Sequence, residues 1–160
     1  MMAVVFSARE IAEAAVEKEK ERRKFYANVA RLSTNPEMKE LFRFLTEEEE
    51  KHVAAFVKIR DHLPAGVRSD EYDADMQAYM DSVIDDRLYS DMDSKEAVQK
   101  AIAAKEVLRL AIGFEKDAIL YFSEFLPYMA EQDRKVVENL IEEEKGHIRM
   151  LSALRKRMAE

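Results

Sequence analysis

The sequence predicts an all-α protein built as a four-helix bundle, and three observations support this fold class. The 160 residues include only 3 Gly and 3 Pro, so few positions favour turns and the elements between them must be long. Apolar residues recur at the three- and four-residue spacing of helices over most of the chain. No stretch keeps the two-residue alternation of a strand, and the length suits a single domain over residues 1–160.

The first two helices are predicted from start signals and from the break between them. Ser7 is followed three residues later by Glu10, which is the spacing of a capping box, and we expect a helix over residues 8–33. Pro36 suits the first turn of a second helix, which we expect over residues 36–62. Because the connection is short, the two helices should form an antiparallel hairpin.

The second half of the chain predicts another hairpin. Asp93 or Ser94 suits the cap of a helix over residues 94–126, and a last helix is expected over residues 129–158. Residues 64–93 form a long acidic connection in which apolar residues at helical spacing predict a shorter helix over residues 72–89. The predicted architecture is therefore two antiparallel helix hairpins joined by a long crossover that contains a short helix.

The composition of the chain argues against several classes of binding partner and cellular location. The net charge of −7 argues against nucleic acid or an anionic membrane as a partner. The absence of cysteine excludes thiol nucleophiles and thiolate-ligated clusters. No window holds about 18 uncharged apolar residues, as a membrane span requires. The apolar run at the amino terminus is too short for a signal peptide and is followed by Arg9 and Glu10, so we expect a cytoplasmic protein.

Each long helix carries an acidic residue inside its apolar stripe. On two helices this residue begins a Glu-x-x-His motif, whose two side chains lie next to each other on one helix face. The motif recurs after 95 residues, which indicates an internal repeat. The candidate metal ligands are Glu19, Glu49, His52, Glu115, Glu144 and His147.

Charge balance favours a dinuclear metal site at these positions. A buried carboxylate without a partner is unfavourable, and it either takes up a proton or binds a cation. Two divalent ions would supply four positive charges against four carboxylates. Carboxylate oxygens with one imidazole per metal and no sulfur suit iron or manganese better than a structural zinc site. We therefore expect two iron or manganese ions.

Further motifs surround these ligands. Tyr26 follows Glu19 by seven residues, and residues 35–42 read Asn-Pro-Glu-Met-Lys-Glu-Leu-Phe. Phe122 likewise follows Glu115 by seven residues. In these features and in its two Glu-x-x-His motifs, the sequence resembles the rubrerythrin-like branch of the ferritin-like superfamily. The resemblance covers the four long helices and not the connection.

The resemblance implies a ferritin-like fold, a di-iron centre and an activity towards dioxygen or peroxide, with an external electron donor. By position, the resemblance implies that Glu19 and Glu115 are terminal ligands. It implies that Glu49 and Glu144 bridge the two metals, and that His52 and His147 supply one imidazole to each metal. The chain departs from full-length rubrerythrin in having no cysteine, and hence no rubredoxin-type iron domain. It also has Ala118 three residues after Glu115, where rubrerythrin has an extra acidic ligand.

Three hypotheses for the function stay open from the sequence. The first is an oxidoreductase, either a ferroxidase or a rubrerythrin-like peroxidase. The second is an iron-binding or storage-linked protein with little turnover. The third is a metal-free helical assembly module whose carboxylates are protonated or paired with Arg22 or Arg149. The aromatic and Met-rich connection suggests a homodimer in each case.

Several neighbours of the candidate ligands have less specific predictions. Tyr26 is either a core aromatic or places its hydroxyl near the metals. His62 has no acidic partner at suitable spacing within its stripe, so we expect it to cap the end of its helix. Because most of the 33 acidic residues must lie at the solvated surface, we place there Glu47, Glu48, Glu50, Glu142 and Glu143.

Overall fold

The computed structural model describes residues 8–63, Ser82 and residues 92–158, and within these residues the fold is all-α without any strand. The helices are α1 (Ala8–Leu32), α2 (Pro36–His62), α3 (Lys95–Ala103), α4 (Val107–Phe125) and α5 (Glu131–Met158), with a 3₁₀ turn at Leu126–Tyr128. The predicted all-α class is confirmed. Apart from Ser82, the predicted helix over residues 72–89 lies outside the described residues.

Two of the predicted helix starts carry side-chain caps. The Asn35 side chain accepts a hydrogen bond from the Met38 amide at 3.1 Å, and Pro36 occupies the first turn of α2. The Ser94 hydroxyl oxygen accepts one from the Ala97 amide at 3.0 Å. The predicted capping residue Ser7 lies outside the described residues.

The predicted continuous helix over residues 94–126 is wrong, because the chain forms α3 and α4 instead. Lys105 adopts a left-handed conformation with φ of 58°. Its amide donates to the Ile102 carbonyl at 3.0 Å, and the Glu106 amide donates to the Ala101 carbonyl at 3.0 Å. These two bonds form a Schellman motif, in which glycine is the usual left-handed residue. The apolar spacing continues across the break and therefore does not reveal it.

The four long helices pack mainly in two antiparallel pairs, α1 with α2 and α4 with α5. The Arg9 guanidinium at the start of α1 donates to the Leu63 carbonyl just after α2 at 3.1 Å. One apolar cluster includes Phe56 and Phe122, and a second, at the opposite end of the helices, includes Phe42 and Phe114. The middle of the helices, between these clusters, is where the acidic interruptions of the stripes fall.

Apart from the buried charged residues in the middle of the helices, apolar residues lie mainly on one face of each long helix and charged residues on the other. This amphipathic pattern is that of helices that pack around a shared core. None of the described helices is long and apolar enough to cross a membrane.

Candidate metal centre

The structure brings all six predicted ligand residues into one cluster between the two apolar ends. Each of the six is at most 3% exposed to solvent. Glu19 projects from α1 and Glu115 from α4, while α2 and α5 each contribute one Glu-x-x-His motif. The three-residue spacing places each glutamate and its histidine on the same face of the helix, and this face is buried.

The ligand atoms form two overlapping groups, and within each group they lie within 4.8 Å of one another. We name them the Glu19 half and the Glu115 half. The two halves share two carboxylates, which stand between them as a bridging pair would. The Glu19 half consists of Glu19, Glu49, His52 and Glu144, and the Glu115 half consists of Glu49, Glu115, Glu144 and His147.

The buried lone-pair atoms of this cluster fit a divalent cation. Buried polar atoms are almost always hydrogen-bonded, and those that are not need an explanation. His52 Nδ1 lies 2.7 Å from Glu144 Oε1 without hydrogen-bond geometry. Ligands at right angles around a metal at about 2.1 Å stand about 3 Å apart. The atoms without hydrogen-bond partners in the cluster are Glu19 Oε2, both Glu49 oxygens, Glu115 Oε2, both Glu144 oxygens, and the Nδ1 atoms of His52 and His147.

Both histidines present their outer nitrogen to a glutamate from the opposite helix. His52 Nε2 donates to Glu143 Oε2 at 2.8 Å, whereas His147 Nε2 lies 3.8 Å from Glu48 Oε1. A carboxylate accepts, so Nε2 of His52 carries a hydrogen and Nδ1 faces the cluster, where its lone pair would be available to a metal ion once the ring is neutral. In metalloproteins, such carboxylate–histidine pairs fix the orientation of the ligand.

The surface prediction is wrong for Glu48 and confirmed for Glu143. Glu48 is only 15% exposed, and Glu143 is 50% exposed but bonded to His52. Each precedes a candidate bridging glutamate by one residue. The contact crosses from one helix to another, so spacing along a single helix could not identify it. Glu47, Glu50 and Glu142 are exposed, as predicted.

Arg22 places a buried guanidinium against the carboxylates. Its Nη2 forms an ion pair with Glu19 Oε1, its Nε lies 3.6 Å from Glu49 Oε2, and its Nη1 lies 3.9 Å from Glu115 Oε2. Nη1 also donates to the Phe114 carbonyl at 3.1 Å. The sequence offers one signal for this role, namely that Arg22 lies three residues after Glu19 and hence on the same helix face.

Tyr26 is both a core aromatic and a neighbour of a candidate ligand, so the two alternatives left open by the sequence do not exclude each other. Its buried hydroxyl donates to Glu115 Oε1 at 2.8 Å. By contrast, Arg149, named with Arg22 as a possible carboxylate partner, is exposed. His62 Nε2 lies 3.1 Å from Asp133, so it links the end of α2 to the start of α5. The cap at that end of α2 comes from the backbone of Leu63.

Burial and mutual contact shift the protonation of the cluster in the metal-free protein. Burial raises the pKa of Glu49 well above its usual value; Arg22 opposes this, while Glu19 and Glu144 add to it. Burial disfavours the charged ring of His52, but the close carboxylates of Glu144, Glu19 and Glu49 outweigh it and raise its pKa. Burial also acts against ionised Glu144, yet Arg22 and both histidines lower its pKa to about 2. A metal ion would therefore displace protons from Glu49 and His52.

Comparison with known proteins returns no matching family model, no similar curated protein and no similar solved structure. Within the described part of the chain, the residues of this site form a buried Glu/His cluster with atoms at ligand distances, which could bind a metal ion.

Proposed function

We propose that this protein binds two divalent metal ions, iron before manganese, in a ferritin-like bundle, and that it is an oxidoreductase reacting with dioxygen or peroxide. The observation that carries the proposal is the pair of overlapping buried ligand groups that share Glu49 and Glu144. A protein that needed these glutamates only for helix packing would gain nothing from burying four carboxylates side by side.

The ligand types support the choice of metal. Each half offers carboxylate oxygens and one imidazole nitrogen, and the chain has no sulfur ligand from cysteine. Two divalent ions would balance four ionised carboxylates. Both ions would bind Glu49 and Glu144, while one would add Glu19 and His52 and the other Glu115 and His147.

Two such ions, when bound, supply the electrons for reduction of dioxygen or peroxide. The chain's own residues position the ligands and limit access of water. Glu143 holds the ring of His52 through Nε2, and the Tyr26 hydroxyl holds Glu115. The ring of Phe44 packs against His147, edge to face, at a centroid distance of 6.0 Å.

The outer side of the histidines offers a short route from solvent. Phe44 and Glu143, which contact the two rings, are themselves exposed, and Glu48 is partly exposed. A metal ion or a small oxidant has to pass only this layer of side chains, which includes two carboxylates that attract cations. An external electron donor, a homodimer and a cytoplasmic location stay predictions.

Metal analysis after anaerobic loading with ferrous iron tests the binding step. We expect about two ions per chain, and one or none would contradict the proposal. Glu49→Gln should lower the number, whereas Glu50→Gln, which changes the exposed neighbour, should not.

Rapid mixing of the loaded protein with dioxygen, and separately with hydrogen peroxide, tests the turnover. We expect oxidation of bound iron well above the rate for free ferrous iron in the same buffer. Two bound ions that are oxidised no faster than free iron would favour the iron-binding or storage-linked alternative. The oxidant that gives the faster reaction identifies the substrate.

A further inference from the structure

We propose that Arg22 is a resident counter-cation that keeps the carboxylate cluster assembled in the metal-free protein and thereby makes metal binding reversible. The metal would then be an exchangeable ion rather than a permanently held one. This inference rests on the proposed function for the identity of the ligand, and it deepens that function by assigning how the site is loaded and emptied.

The contacts of Arg22 suit this role. The side chain is 1% exposed, and its guanidinium touches three of the four clustered carboxylates, on Glu19, Glu49 and Glu115. An arginine is charged at every physiological pH, so this positive charge is always present. Buried carboxylates repel one another without a cation, and Arg22 supplies one that does not depend on the metal supply.

The guanidinium is anchored independently of the carboxylates. Nη1 donates to the Phe114 carbonyl on α4 at 3.1 Å, so Arg22 links α1 to α4 next to Glu115. A metal ion would therefore share the carboxylates with Arg22 instead of replacing it. A nearby fixed positive charge weakens the binding of a divalent ion through Coulomb repulsion.

Charge counting predicts two unequal binding steps. In the deprotonated form that would bind metal, four ionised carboxylates, one guanidinium and neutral histidines sum to −3. The first divalent ion brings the cluster to −1, and the second brings it to +1. Because Arg22 is paired most closely with Glu19, the ion in the Glu19 half meets the stronger repulsion. We therefore expect the Glu115 half to fill first and the Glu19 half to fill with lower affinity.

The internal repeat shows that this cation is a feature of one half only. Arg22 lies three residues after Glu19, and Ala118 lies three residues after Glu115. Ala118 is buried in the apolar cluster that includes Phe56 and Phe122. The ligand pattern alone does not require a cation at this position, since the second half has none there.

Variants of two adjacent arginines provide the test. Arg22→Gln removes the buried charge, and Arg22→Lys keeps a charge at that position. Arg23→Gln removes the same charge from the helix surface, where Arg23 lies 3.4 Å from Glu50. Thermal unfolding is measured in chelator and with bound Co²⁺, and Co²⁺ affinity is measured by titration of its visible absorption.

We expect Arg22→Gln to lower the melting temperature of the metal-free protein by about 10 °C, as for a broken buried ion pair. The loss should be less than half as large with Co²⁺ bound, and the second Co²⁺ should bind at least about tenfold tighter than in wild type. Arg23→Gln should match wild type in every measurement. Arg22→Lys should lie between wild type and Arg22→Gln.

Equal losses in the two forms, or Co²⁺ affinity no tighter than that of Arg23→Gln, would overturn the inference. If Arg22→Gln does not fold in chelator, recovery of its helical circular dichroism on adding Co²⁺ supports the role, and failure to recover contradicts it. If wild type binds no Co²⁺, the proposed function fails. The melting temperatures in chelator still decide whether Arg22 stabilises the metal-free protein.

Discussion

The two halves of the candidate centre have the same ligand types in different surroundings. Each combines one carboxylate of its own, one histidine and the two shared carboxylates. The Arg22 guanidinium pairs closely with Glu19 but lies 3.9 Å from Glu115, which instead accepts a hydrogen bond from the neutral Tyr26 hydroxyl. The repeat in the sequence thus fixes the ligands of both halves but not their electrostatic environment.

The histidines and helices differ in the same way. His52 is held by Glu143 at 2.8 Å, whereas His147 lies 3.8 Å from Glu48, beyond hydrogen-bond distance. The helix that carries Glu19 is continuous, while its counterpart in the repeat is interrupted at Lys105. Two metal positions built from one pattern should therefore have unequal affinities.

Replacement of a shared carboxylate should abolish both positions and have the largest effect. We expect Glu144→Gln to weaken both binding steps by more than the about 10–100-fold typical of outer partners of metal ligands. Calorimetric titration with Co²⁺ measures both steps. The control is Glu142→Gln, which changes an exposed glutamate paired with Lys145 at 2.9 Å. Two ions bound to Glu144→Gln at wild-type affinity would contradict the assignment.

Glu19 and Glu115 each belong to one half only, so replacing either should remove one ion, and the ion that is lost should differ between the two variants. Glu115→Gln should remove the tight step, and Glu19→Gln should remove the weak step, because Arg22 opposes the ion at Glu19. The same titration measures both variants. Identical residual affinities would show that the two halves are equivalent.

The metal-free protein should become less stable as the pH rises from 5 to 8, because its folded state binds protons more tightly than the unfolded chain does. In the folded protein, the pKa values of Glu49 and His52 are raised above their ordinary values of 4.5 and 6.5. The folded state therefore keeps protons that the unfolded chain releases in this range. The free energy of unfolding should fall by up to about 1.4 kcal/mol per pH unit for each group. Glu144, with a pKa lowered to about 2, has the opposite slope, but only below pH 4.5.

Melting temperatures in chelator at several pH values measure this slope. His52→Gln should flatten it above pH 6.5, because it removes the ring that keeps its proton in the folded state. With metal bound the slope should be absent or reversed, since the ion replaces the protons. A melting temperature in chelator that rises between pH 5 and 8 contradicts this description of the cluster.

Replacing Glu143 or Glu48, which face the outer nitrogens of the histidines, should change metal affinity less than replacing a ligand, and by different amounts in the two halves. We expect Glu143→Gln to weaken the second step about 10-fold, because it disturbs the hydrogen bond that orients His52. Glu48→Gln should change affinity by less than about 3-fold, since its contact with His147 is long. Titration gives the affinities, and ¹⁵N NMR of the ring nitrogens reports the tautomer of His52. Equal effects of the two variants would remove this difference between the halves.

The interruption between α3 and α4 should contribute only to stability. Lys105→Gly should raise the free energy of unfolding by about 1 kcal/mol, because glycine adopts the left-handed conformation without strain. Gln99→Gly in the middle of α3 should lower it by about 1 kcal/mol. Urea unfolding measures both. A destabilised Lys105→Gly would indicate that the lysine side chain has a role of its own at this turn.

The ligand cluster could be anticipated from the sequence because periodicity determines which side chains share a helix face. Glu19 and Glu115 interrupt apolar stripes, and the Glu-x-x-His motifs identify the other two helices. The all-α class follows from the same periodicity and is confirmed. The ferritin-like arrangement and the metal stay predictions.

The features that the sequence does not reveal depend on contacts between helices or on rare backbone conformations. The partners of Arg22 on α2 and α4 and the partner of Glu143 on α2 lie far away along the chain. The break at Lys105 places a lysine where glycine is usual, so the local signal for it is missing.

The most direct test of two metal positions is anomalous X-ray diffraction at the iron edge from crystals loaded anaerobically with ferrous iron. We predict two peaks, one among the ligands of each half, with Glu49 and Glu144 contacting both and Arg22 still in place. At limiting iron, the peak in the Glu115 half should be the stronger. No peak in the cluster, or a single peak outside it, would contradict the dinuclear centre.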